Sequence, residues 1–284
     1  MTAGLSADKF VIVMGMPRGG TTSLYHIFDN HPGFFVPFRK ETAFFSYNSY
    51  KGESWYRGLY SDCEIHQVGV DISPQYFVDL RSVPRIKAML PDAKIILSVR
   101  NPVDWIISSF FQTNKFEKQP DFSKFLNGYT ITGAKEKLHC SLADGYVSET
   151  IQLLMRTFGK DLLLYRFELF NDDPLRVLKA IEVFCGTEPY FNTNTFTNIK
   201  VNSAYQYNFR LLTWLLSREV VISTIDTFFT RSFIKRVRLL FDGITMPKTS
   251  WSAIPLSDYE IRLAEKRLSQ DKDWVDKLFE DQPI

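Results

Sequence analysis

A parallel α/β sheet with helices on both faces is the fold class this sequence predicts. Three observations carry the prediction. Short apolar runs rich in β-branched residues recur along the chain, segments of helical period lie between them, and a glycine-rich turn joins the first run to the first helical segment.

The first run, KFVIVMG at residues 9–15, suits a strand buried on both faces and ends at a glycine. A helix follows over 21–30, and NHPG stops it. AKIILSV, residues 93–99, is a second buried strand. Beyond it Asn101 is placed to cap a helix and Pro102 to fill its first turn, with Val103, Ile106, Ile107 and Phe110 on one side. Residues 146–158 read as a helix, since Val147, Ile151, Leu154 and Phe158 share a face, and DLLLYRF at 161–167 reads as a third strand. DDPLRVLKAIEVFCG then carries a cap, a proline at its start and a glycine at its end, the punctuation of one helix. Ser257 and Glu260 form a capping-box pattern before Ile261, Ala264 and Leu268.

Residues 205–246 break the alternation. They are strongly apolar and then basic, and they read as one or two amphipathic helices inserted in a single domain of residues 1–284. Packing against the core is favoured for them over a lid or a membrane-surface contact.

Of the 284 residues, 45% are hydrophobic and 23% charged, which is ample for a core. Aromatic residues reach 15%, with 25 phenylalanines, and point to an aromatic-rich core or pocket. A net charge of +2 gives no argument for a nucleic-acid partner. Cys63, Cys140 and Cys185 match no metal pattern and read as free thiols of a reducing compartment. No leader pattern stands at the start of the sequence, and no uncharged apolar run of about 18 residues occurs. The expectation is a cytoplasmic protein with no membrane span, its oligomeric state open.

The chemistry gathers at GMPRGGTTS. Gly15 and Gly20 have the spacing of G-x-x-x-x-G-K-[ST], and Thr22 stands at its Ser/Thr position, but Thr21 replaces the lysine. Backbone N–H groups at a helix N-terminus bind an oxyanion without that lysine. Thr21 and Thr22 add hydroxyls, and Arg18 is the loop's cation. A tight turn that uses its glycines for geometry alone is the weaker reading. Hydrolysis of ATP or GTP wants the lysine, and a carboxylate after an apolar strand to hold Mg²⁺. The strand at 93–99 ends instead in Arg100, a cation suited to a second phosphate on the ligand.

PRGGTTSL, KETAFFS, DISPQYF and SVRNPVDWIISSF, in this order, resemble the sulfotransferases that use 3′-phosphoadenosine 5′-phosphosulfate (PAPS). The heparan-sulfate-type enzymes and their bacterial counterparts are the most similar branch. The resemblance covers residues 10–111 and weakens beyond them. It implies a sulfotransferase fold of the P-loop nucleotide-binding kind and a PAPS donor.

Residue by residue, the resemblance puts the 5′-phosphosulfate loop on Arg18, Gly19, Gly20, Thr21, Thr22 and Ser23, with Arg18 stabilising the leaving phosphate. It assigns the 3′-phosphate to Arg100 and Ser108; the alternative for Ser108 is a helix residue bonding a backbone carbonyl. It makes Glu41 of KETAFF the general base that deprotonates an acceptor hydroxyl or amine. The alternative for Glu41 is a solvated loop carboxylate paired with Lys40 or Arg39.

Where the heparan-type relatives carry a Glu-Lys pair, this chain has Asp71 and Ile72. Asp71 is left to orient Arg18 or the acceptor, or to cap the turn before Ser73 and Pro74. Lys248 of PKTSWS matches half of a C-terminal Lys-x-Arg cofactor contact. His31 is expected to end a helix rather than to act in catalysis, and no metal is required. The expected activity is sulfuryl transfer from PAPS to a small-molecule or carbohydrate acceptor. The alternatives are a nucleotide kinase or NTPase with a degenerate loop, and a catalytically inactive nucleotide-binding module.

Overall fold

In the computed structural model, which describes residues 9–113, 121–132, 137–140, 145–198 and 256–281, the first apolar run forms β1 (Phe10–Val13). Its side chains alternate between two covered layers, Phe10 and Ile12 on one side and Val11 and Val13 on the other. The chain continues through α1 (Thr21–Asp29), β2 (Phe34–Phe35), α2 (Glu53–Gly58), β3 (Val68–Ile72), α3 (Gln75–Val78), α4 (Ser82–Met89), β4 (Lys94–Val99) and α5 (Pro102–Thr113). After α6 (Phe122–Phe125) come an antiparallel pair, β5 (Tyr129–Thr132) and β6 (Lys137–Cys140), then α7 (Tyr146–Phe158) and β7 (Leu162–Arg166). The remaining described helices are α8 (Phe167–Asp172), α9 (Pro174–Cys185), α10 (Thr193–Asn198), α11 (Asp258–Arg267) and α12 (Ser269–Asp281).

The main sheet runs β2-β3-β1-β4-β7, and every neighbouring pair in it is parallel. On one face, Leu24 and Phe28 of α1 and Val177 and Ile181 of α9 pack onto Val11 and Val13. On the other, Ile86 of α4, Ile106 of α5, Ile151 and Leu154 of α7, Ala264 of α11 and Val275 of α12 pack onto Ile12, Ile95 and Leu97. The predicted α/β architecture, helices on both faces, is therefore the observed one. Because β1, β3 and β4 are parallel neighbours, the loops leaving all three open at the carboxyl end of the strands, where open α/β folds bind ligands.

Helix boundaries follow the predicted caps. Asn101 Oδ1 accepts from the N–H of Val103 at 2.9 Å, Asp173 accepts from Arg176 N–H at 3.2 Å, and the Ser257–Glu260 capping box is complete. The start of α7 is capped from far away: the carboxylate of Asp271 in α12 accepts from the N–H groups of Gly145 and Ser148 at 3.1 and 2.8 Å.

His31 does end α1, and it is buried. Its Nδ1 accepts from Gly33 N–H at 2.9 Å, so Nε2–H donates to Glu182 Oε1 at 3.1 Å. Burial holds the imidazole below its usual pKa against the pull of Glu182. The same Glu182 oxygen accepts from Tyr190 and Phe191 N–H, so this pair fastens the end of α1 to α9. Cys63 and Cys185 are buried, and Cys185 is a free thiol. No helix of the described residues is long and apolar enough to cross a membrane. The predicted insertion at 205–246 and Lys248 lie outside the described residues.

Candidate active site

The glycine-rich loop leaves the end of β1 and turns into α1. Met16 N–H bonds to Ser98 O of β4 at 3.2 Å, and Gly19 N–H closes back on Met16 O at 2.8 Å. A side chain at Gly19 would meet that carbonyl at 2.8 Å, so Gly19 serves the loop by its shape. Gly20 is required twice over: its φ is 79°, and a Cβ there would meet the Phe167 ring at 2.9 Å. Arg18 also has a left-handed backbone, with φ 71°, a conformation that costs a non-glycine residue energy and marks functional loops. With Gly20 as N-cap and no side-chain cap, the first N–H groups of α1 have no side chain turned back onto them. Thr21 is buried behind the loop, whereas Thr22 is exposed and Ser23 half-exposed.

Arg18 meets Arg100 and Ser108, both far from it in sequence, at the mouth of this loop. Arg18 Nε donates to Ser108 Oγ at 3.3 Å, and Arg100 Nη1 donates to Arg18 O at 3.1 Å. The hydroxyl of Ser108 thus faces the loop rather than its own helix. The Arg100 guanidinium lies 5.1 Å over the Phe167 ring, the same ring that packs under Gly20. Burial and then the charge of Arg100 lower the Arg18 pKa. Among the described residues neither guanidinium has a carboxylate partner. Two cations drawn together without a counter-ion make a place for a polyanion.

Glu41 comes from the loop after β2. Its Oε2 accepts from Gln75 Nε2 at 2.6 Å, and its Oε1 accepts from Lys40 Nζ at 2.8 Å. The pairing with Lys40 that its non-catalytic reading requires is present, but Lys40 also donates to Thr22 Oγ1 of the anion loop at 3.0 Å. Glu41 is therefore joined to the loop through one ammonium group. Tyr47 stands beside it: burial first, and then the Glu41 charge, raise the Tyr47 pKa.

Asp71 holds this segment in place. Fully buried at the end of β3, it accepts from Ser73 Oγ and Tyr76 Oη, each at 2.7 Å, and from Thr42 Oγ1 at 2.8 Å. Ser73 Oγ in turn accepts from Ala43 N–H at 3.0 Å, and Ala43 has φ 47°. Burial raises the Asp71 pKa against the hydrogen bonds from Tyr76, Ser73 and Thr42. Of the sequence alternatives, the turn before Ser73 is the one these contacts support, with the addition that Asp71 fixes the residue next to Glu41. Ile72 beside it is buried, so no cation stands there.

Asp71→Ala is expected to cost about 2–4 kcal/mol, because three buried hydroxyls lose their acceptor. Urea unfolding would read this as a lower midpoint with an unchanged slope. A loss under about 0.5 kcal/mol would show that the hydroxyls satisfy one another without it.

Sequence reasoning missed Lys40 as a site residue, as well as Gln75, Tyr47 and Phe167. Gln75 lies within the recognised DISPQYF and Lys40 within KETAFF, but neither spacing nor residue type singles them out. Phe167, the first residue of α8, was read only as the last residue of the apolar run 161–167, with nothing to mark it as part of the site.

Residues 8–218 match the family model described as Sulfotransferase domain. The chain is 36% identical over 189 residues to heparan sulfate glucosamine 3-O-sulfotransferase 3B1 of Mus musculus, covering 65% of this chain and 47% of that protein. It is also 36% identical over 179 residues to heparan sulfate glucosamine 3-O-sulfotransferase 3A1 of Homo sapiens, covering 62% and 43%. The chain thus spans about half the length of the curated relatives it matches. Among solved structures, a sulfotransferase from Alicyclobacillus acidocaldarius has the same fold, with a TM-score of 0.52 and 21% identity over 68% of this chain and 89% of that one.

Proposed function

This chain belongs to the sulfotransferase domain family, and from that premise we propose that it transfers a sulfuryl group from PAPS to a hydroxyl or amine of a carbohydrate acceptor. The observation that carries this reading is the meeting of Arg18, Arg100 and Ser108 at the mouth of the anion loop. A nucleotide phosphorylated at both the 5′ and 3′ positions needs two sites of positive charge, and the chain places two guanidinium groups there. The donor set fits: backbone N–H groups and Arg18 for the 5′-phosphosulfate, Arg100 and Ser108 for the 3′-phosphate.

Each of the chain's own groups then has a task. Glu41 takes the acceptor proton, and Arg18 with the first N–H groups of α1 receives the negative charge that collects on the leaving phosphate oxygen. Asp71 keeps the Glu41 segment at its distance from the loop through Thr42. A kinase or NTPase reading is not favoured, because β4 ends in Arg100 and the loop lacks its lysine.

The carbohydrate class is the property of the similar proteins, whose names give heparan sulfate as what they act on. Transfer of radiolabelled sulfate from PAPS is expected with desulfated heparan-type oligosaccharides and not with apolar phenols or alcohols. Labelling of the phenols alone would contradict the carbohydrate assignment.

A further inference from the structure

We propose that Lys40 is a catalytic residue that binds the sulfuryl group as it passes from donor to acceptor, an inference that rests on the sulfuryl-transfer reading. The Lys40 ammonium bridges the two ends of the reaction. It donates at 3.0 Å to Thr22 Oγ1, in the first turn of α1 where the donor phosphate is received, and at 2.8 Å to Glu41 Oε1, the base. In an in-line displacement the transferred group lies between the leaving oxygen and the attacking one, hence between those two ends.

Donor counting points the same way. An ammonium has three N–H donors, and Thr22 and Glu41 account for two, so a third is left for an oxygen brought between them. The neighbouring cations have other tasks. Arg18 and Arg100 are assigned to the two phosphates of the donor, and the Arg39 guanidinium lies 5.7 Å over the Trp55 ring. A lysine that merely neutralised Glu41 would need no bond to Thr22. The Thr22 bond gives the ammonium a second anchor, on the loop side, when the acceptor approaches Glu41.

The step balances without a proton from Lys40. Glu41 takes the acceptor proton while the acceptor oxygen closes its bond to sulfur. The bond from sulfur to the 5′-phosphate oxygen breaks, its electron pair stays on that oxygen beside Arg18, and Lys40 donates a hydrogen bond to a non-bridging sulfuryl oxygen throughout. The products are the sulfated acceptor and adenosine 3′,5′-bisphosphate.

The two nucleotides differ by the sulfuryl group alone, and that gives the test. Calorimetric titration of PAPS and of adenosine 3′,5′-bisphosphate is carried out on the wild-type chain, Lys40→Ala and Lys40→Arg. The acceptor-independent release of sulfate from PAPS is followed in parallel. Lys40→Ala is expected to bind the bisphosphate within about twofold of wild type, to bind PAPS about tenfold more weakly, and to release sulfate about 10²-fold more slowly. Lys40→Arg should regain part of both losses. Bisphosphate binding also reports that each variant is folded. Equal weakening for the two nucleotides would make Lys40 a support of the loop and overturn the assignment, as would PAPS binding and sulfate release at wild-type levels in Lys40→Ala. Failure of the wild-type chain to bind either nucleotide would overturn the sulfuryl-transfer reading itself, and this assignment with it.

Discussion

Glu41→Gln is expected to slow sulfuryl transfer by about 10²–10⁴-fold while leaving the affinity for adenosine 3′,5′-bisphosphate within about twofold of wild type. The substitution keeps the size of the side chain and one acceptor oxygen, for Lys40, while the bond from Gln75 is lost unless the Gln75 amide turns over to present its oxygen. What it removes is the carboxylate charge, and with it both the ion pair to Lys40 and the capacity to accept the acceptor's proton. The bisphosphate is gripped on the other side of the site, by the loop and by Arg100, and does not need the carboxylate. Steady-state kinetics with a labelled carbohydrate acceptor and calorimetry with the bisphosphate check the two halves separately. Turnover unchanged in Glu41→Gln would remove Glu41 from the mechanism and leave its contact with Lys40 as an ordinary ion pair.

Arg100→Ala is expected to weaken binding of adenosine 3′,5′-bisphosphate by about 10²-fold and binding of AMP far less. AMP lacks the 3′-phosphate, so it loses only what Arg100 gives the loop through its bond to Arg18 O. The Phe167 ring under the guanidinium fixes where that charge points, which is why a 3′-phosphate should feel the substitution more than a diffuse field would predict. Equal losses for the two ligands would mean that Arg100 acts on the loop and not on a second phosphate.

How much of this was legible in the sequence differs by element, for physical reasons. β1, β4 and β7 were readable because each contains an unbroken apolar run, FVIV, IIL and LLLY. β3 was not, although all five of its residues are buried, because Gly69 and Asp71 interrupt the run. Asp71 can be buried there only since three hydroxyls from distant positions satisfy it, and no local pattern announces such partners. The two-residue β2 is held by its pairing to β3, and the antiparallel pairing of β5 with β6 rests on partners that the sequence reading did not identify. α12, a polar segment by composition, is fixed partly by Asp271 capping α7.

The site divides in the same way. Arg18 and Arg100 were nameable from the residues, as the cation of the glycine-rich loop and the cation that ends an apolar strand, and Ser108 only through the resemblance to the PAPS-dependent sulfotransferases. Their meeting is a property of the sheet order, which brings the ends of β1 and β4 together. Lys40 was visible only as the neighbour of Glu41. Its second bond, to Thr22, depends on how the loop after β2 folds back over α1, and that is set by Asp71, Ser73 and Tyr76 rather than by any residue near Lys40.

The central claim is that this chain is built to hold a nucleotide with phosphates at both ends of its ribose. Calorimetric titration of the wild-type chain with adenosine 3′,5′-bisphosphate in metal-free buffer, beside ATP with Mg²⁺, tests it most directly. Tight binding of the bisphosphate and little heat from ATP is the predicted result. Preference for ATP with Mg²⁺ would contradict the account and return the loop to the nucleotide kinases.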